Sequence, residues 1–133
     1  MVFQRWLRVF LGDPEAAVHY FAQVMRLSPR DPLIFHMQNG TASAHFFAGR
    51  CDEALAWAER ALQESPNCKP ALRIGAASQA MLGRMDDARM TIARMSRVDP
   101  EFRVRDIGKV APFRKPDHLA KFEEGLRKAG LPD

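Results

Sequence analysis

The sequence predicts an all-α protein of three antiparallel helix pairs closed by a further helix, and three observations predict it. Gly12, Gly49 and Gly83 are each followed 17 positions later by a proline, at Pro29, Pro66 and Pro100. An alanine stands five positions after each glycine, at Ala17, Ala54 and Ala88. Between glycine and proline the apolar side chains recur at helical spacing, as in Ala54, Leu55, Ala58, Ala61 and Leu62. A fixed period of this kind marks stacked supersecondary units, each of which needs its neighbour to bury an apolar face.

The elements follow in order. A helix over 2–11 carries Phe3, Trp6 and Phe10 at i, i+3 and i+7. That face serves core packing or, at the open end of the stack, self-association into a homodimer. Gly12 allows the turn, and a helix over 14–27 buries Ala17, Phe21, Val24 and Met25. The third helix, over 32–48, has no Asp, Glu, Lys or Arg between Leu33 and Gly49. His36, Gln38, Asn39, Thr41, Ser43 and His45 interrupt it, so it reads as a buried helix and not as the roughly 20 apolar residues that span a bilayer.

Helices over 52–64, 69–82 and 86–98 complete the repeats, with Ala88, Ile92 and Met95 facing inward in the last. Asp52, Glu53, Asp86 and Asp87 stand at helix starts, where carboxylates cap free N–H groups and oppose the positive dipole end. The recurring alanines, with Ala42 and Ala76 seven residues before their glycines, are small so that helix backbones approach closely. The units run 1–31, 32–66 and 67–100.

After Pro100 the helical period is lost. Arg103, Arg105, Lys109, Arg114 and Lys115 face only Asp106, so this stretch accounts for the net charge of +4. Residues 101–116 read as an extended, solvated basic connector; with Phe102 and Phe113 as the only aromatics, nucleic-acid binding is disfavoured. A capping helix over 117–133 begins near Pro116, buries Leu119, Phe122 and Leu126, and ends at Gly130. Val110–Phe113, apolar and tethered beside the stack, is expected to enter its concave side.

Composition excludes several classes. With 133 residues, 47% hydrophobic and 27% charged, the chain suits one folded domain. Met1–Trp6 lacks the parts of a signal peptide. A helix of about 13 residues separates Cys51 from Cys68 by roughly 20 Å, beyond the reach of about 7 Å for a disulfide. Free thiols and a cytoplasmic protein are expected. His36 and His45 are nine apart, on opposite sides of one helix, and no metal, phosphate-loop or nucleophile motif occurs. No catalytic residue, metal or cofactor is predicted.

The run from Gly49 to Leu62, followed by Pro66, resembles the second helix of a tetratricopeptide repeat. Gly83–Arg89 opens a second copy and Gly12–Ala17 a third. The step of 34 residues from Gly49 to Gly83 matches that family's period. The resemblance covers roughly residues 2–100. It implies a right-handed solenoid and a protein–protein interaction module. The first helix of each pair would line a concave groove holding Trp6, Asn39, Ser43, Phe46, Arg73 and Ala77. The family's clamp for a partner's C-terminal carboxylate is absent, since its positions hold Val2, Trp6, Gly40, Pro70 and Ile74. A narrower resemblance lies in Leu27–Pro32, His45–Arg50 and Glu124–Asp133. These are similar to the C-terminal ends of multidomain bacterial signalling proteins, many of which carry an adenylate/guanylate cyclase domain or a DNA-binding regulatory domain upstream of such repeats. It implies a partner protein, or another domain of the same polypeptide, and a catalytic domain outside this sequence.

Overall fold

The computed structural model describes residues 13–107 and 116–133. Its helices are α1 (Pro14–Leu27), α2 (Ile34–Phe47), α3 (Cys51–Glu64), α4 (Lys69–Met81), α5 (Met85–Val98) and α6 (Pro116–Ala129), with a short 3-10 turn at Val104–Asp106. No strand occurs among the described residues. The helix expected over 2–11, and with it Phe3, Trp6 and Phe10, lies outside them, as does Val110–Phe113.

The turns obey the glycine rule. Gly49, Gly83 and Gly130 have φ of 85°, 79° and 105°, left-handed values that only glycine adopts without steric cost. Each is followed by a residue whose N–H donates to a carbonyl five positions back. These bonds are Arg50 to His45 (2.9 Å), Arg84 to Gln79 (2.9 Å) and Leu131 to Leu126 (3.0 Å). This bond stops a helix and satisfies a carbonyl its last turn leaves open.

The helix starts differ from the expectation. Asp13 caps α1 through its Oδ1, which accepts from the Ala16 N–H at 3.2 Å. At α3 and α5 the capping positions are Arg50 and Arg84, with no side-chain cap. Asp52 and Asp86 sit two positions past the cap, and Glu53 and Asp87 three, inside the first turn. There they oppose the dipole, and Asp86 pairs with Arg89 at 3.2 Å.

Each helix packs on the next from α1 to α5, and α2 also touches α4. This is a helical-repeat solenoid. Ala17, Ala42, Ala54, Ala76 and Ala88 are all buried, as close approach requires. One close approach the alanine pattern does not reveal is at Gly40: a Cβ there would meet the buried Phe21 ring at 2.7 Å.

The stretch after Pro100 departs from its expected form. Phe102, Val104 and Ile107 are buried, where a solvated connector was expected over 101–116. The Arg103 N–H donates to Asp106 Oδ2 at 2.9 Å, and the Val104 N–H donates to the Pro132 carbonyl at 2.9 Å. A single 3-10 turn needs no 3.6-residue period, so helical periodicity does not mark it. Val104 of the turn and its flanking Phe102 and Ile107 join the main core. The Arg103 guanidinium donates to the Pro100 and Phe102 carbonyls, both at 3.0 Å.

Candidate protein-binding groove

The first helices of the second and third pairs, α2 and α4, are apolar or uncharged nearly all round, the composition of helices covered on more than one side. In α2, Asn39 through Ala42 and Ala44 through Phe47 are buried. In α4, Ala71, Leu72 and Ile74 through Ser78 are buried, with Ala80. The second helices cover one side and α6 covers another. Were α6 simply the next helix of the stack, it would pack mainly on α5. It packs chiefly on α4, less on α5, and reaches Phe46 of α2.

The seat of α6 is specific. The Lys121 ammonium donates to the Phe46 carbonyl at 3.0 Å and lies 5.1 Å from the Phe46 ring centroid. That carbonyl is in the last turn of α2, where a cation is favoured by the dipole. The Phe122 ring stands 5.6 Å from Phe46 and 6.2 Å from Phe47. One turn on, Gly125 fits against Ala77: a Cβ on Gly125 would lie 3.0 Å from the Ala77 Cβ and 3.3 Å from its Cα. Leu126, Ala129 and Leu131 finish the buried stripe, while Glu124, Arg127 and Lys128 are exposed.

The six residues assigned to an open groove are therefore placed differently from one another. Trp6 lies outside the described residues. Phe46 and Ala77 are fully buried beneath α6, a correction to their expected accessibility. Arg73 is half-buried, its guanidinium 4.5 Å over the Phe102 ring, and burial pulls its pKa down. Asn39 is buried with its Oδ1 unpartnered among the described residues, and Ser43 is half-buried. Asn39 and Arg73, expected to share one open groove, are both largely covered.

Lys121, Phe122 and Gly125 complete the site. Phe122 was legible as one apolar position among three, but its role as groove occupant was not. Gly125 carried the usable signal, because glycine inside a helix costs about 1 kcal/mol against alanine and marks a close approach.

A second polar constellation joins α1 to the α2–α3 turn. Arg50 Nε donates to His45 Nδ1 at 2.9 Å. The Arg50 Nη1 pairs with Glu15, and His45 Nδ1 lies 3.2 Å from Glu53 Oε2. Burial lowers the His45 pKa, against the opposing pull of Glu53. Cys51 and Cys68 are free thiols whose pKa values burial raises. Among the described residues no group of three or more His, Cys, Asp or Glu is placed to hold a metal, and no helix is long and apolar enough to cross a membrane.

Stacked helix pairs with glycine turns and small residues at the crossings define a helical-repeat scaffold of the kind that serves protein–protein interaction. The tetratricopeptide repeat family model matches residues 6–67. Over 92 residues, 68% of this chain, the sequence is 34% identical to "Protein CTR9 homolog" of Arabidopsis thaliana, of which the chain spans 8%. With the repeat geometry, these matches support the tetratricopeptide repeat family. Neither bears on the resemblance to cyclase-linked signalling proteins.

Proposed function

We propose that this chain is a non-catalytic protein–protein interaction module whose concave face, formed by α2 and α4, receives a helical segment of a protein partner. The carrying observation is that this face already seats a helix, with Phe122 against Phe46 and Gly125 against Ala77. Tetratricopeptide repeats are generally non-catalytic, which supports the same reading. The free thiols support a reducing compartment such as the cytoplasm. The match to a small part of a much longer relative supports service within a larger polypeptide. A bacterial, cyclase-linked setting rests on sequence resemblance alone.

The test places a photo-crosslinking residue at Ser43, half-buried on α2 and assigned to the groove by the repeat register, and separately at Arg89, exposed on α5. In native lysate, Ser43 should label a defined partner that Arg89 does not. The same labelling from both positions, or none from Ser43, overturns the reading.

A further inference from the structure

We propose that α6 is a built-in competitor for the groove, and that a partner enters by replacing it with an amphipathic helix of the same register. This rests on the reading of the α2–α4 face as a helix-receiving site. The register is set by what α6 places there: a cation at the Lys121 position, an aromatic ring next to it, a glycine or alanine three residues later, then leucine, and alanine three further on.

Three features set α6 apart from the helices of the stack. It packs chiefly on the first helix of the last pair, α4, and less on its sequence neighbour α5, and it reaches Phe46 and Phe47 at the end of α2, whereas each helix from α1 to α5 packs chiefly on its neighbour in sequence. Its polar face satisfies itself, with Arg127 paired to Asp133 at 2.6 Å and Lys128 to Glu124 at 3.4 Å. Its side-chain polar link to the repeat helices among the described residues is Lys121 to a backbone carbonyl, which any partner lysine supplies equally well. Release of α6 therefore breaks no buried ion pair among these residues. It uncovers Phe46 and Ala77, an apolar surface that water does not reward and another helix does. Without partner the closed form dominates; a partner burying the same surface shifts the population.

The probe is a fluorescent peptide with the sequence of residues 116–133, titrated into the full chain by anisotropy. Gly125→Val drives a branched side chain into the Ala77 backbone and loosens α6 in cis. The Gly125→Val chain should bind the wild-type probe more than about tenfold tighter than the wild-type chain does, because the open fraction divides the apparent Kd. A probe carrying Gly125→Val should not bind. Equal binding by the two chains, with the variant still cooperatively folded, overturns the proposal. So does a concentration-dependent wild-type dimer combined with no uptake of probe, which assigns the groove to a second copy.

Should the variant fail to fold, hydrogen exchange on the wild-type chain decides. Amides of α6 should open more than about tenfold faster than those of α4, as a local unit. Opening of both only in global unfolding overturns the proposal. Ser43 crosslinking separates the two levels. A partner captured although α6 never opens leaves the interaction module standing and removes only the competitor. No capture even in an opened Gly125→Val chain removes the groove itself.

Discussion

Gly125 of α6 and Ala77 of α4 meet so closely that a Cβ on the glycine would lie 3.0 Å from the Ala77 Cβ and 3.4 Å from its carbonyl oxygen. Two residues 48 apart in sequence thus form a close point of the contact between α6 and the first helices. Their small size lets α6 approach near enough for Phe122 and Leu126 to be buried.

Phe46 and Phe122 form the aromatic side of that contact, both buried, with centroids 5.6 Å apart. Phe46→Ala should cost about 3–5 kcal/mol through lost burial and the cavity left behind. A double-mutant cycle with Phe122→Ala, read from urea midpoints, should return a coupling of about 0.5–1.5 kcal/mol. Strict additivity would show that the rings do not interact.

At the other end of the stack, Gly40→Ala should destabilise the chain. Alanine gains up to about 1 kcal/mol over glycine inside a helix. The added Cβ meets the Phe21 ring at 2.7 Å, and Phe21 is fully buried, so the ring must shift against its neighbours. Overpacking of this kind costs about 1–3 kcal/mol, so a lowered urea midpoint is expected and a raised one contradicts the contact.

Ala54→Leu tests the repeat itself. Ala54 is fully buried at the position five residues after the turn glycine. A leucine there should cost about 1–3 kcal/mol by forcing α3 away from its neighbours. An unchanged denaturation midpoint would argue against close packing at this repeat position.

His45 makes stability depend on pH. Burial holds its folded-state pKa below the ordinary value of 6.5, so the unfolded chain takes up the proton first as pH falls. The stabilising contribution is complete above about pH 6.5 and is lost as pH falls from there through the folded-state value. Urea midpoints at pH 7.5 and pH 5.5 should show the wild type weaker at the lower pH. His45→Gln should shrink that difference; an identical difference would locate the effect elsewhere.

The helices from α1 to α5 were legible to within about two residues, the usual ambiguity of helix ends, because their limits are local chemistry. Gly49 and Gly83 adopt left-handed turns, Pro66 and Pro100 follow the helix ends, and Ala54 and Ala88 mark close crossings. The groove was legible only in part. Phe46 and Ala77 were assigned to it from the repeat register, yet the register says nothing of what covers them. Phe102, Val104 and Ile107 were hidden by a basic neighbourhood, since charge at Arg103 and Arg105 signals solvent while the apolar residues beside them bury.

The sequence by itself determined the repeat, the places where helices stop, and the apolar stripe of Leu119, Phe122 and Leu126 on the last helix. All of these depend on backbone conformation and spacing within one short segment. Only the tertiary structure decided where that stripe goes. Hydrophobic burial has no direction of its own, so a cap on α5 and a helix across α2 and α4 satisfy the same pattern. The choice falls to shape: the Gly125–Ala77 approach, and a Phe46 carbonyl within reach of Lys121, exist only when the segments are folded together.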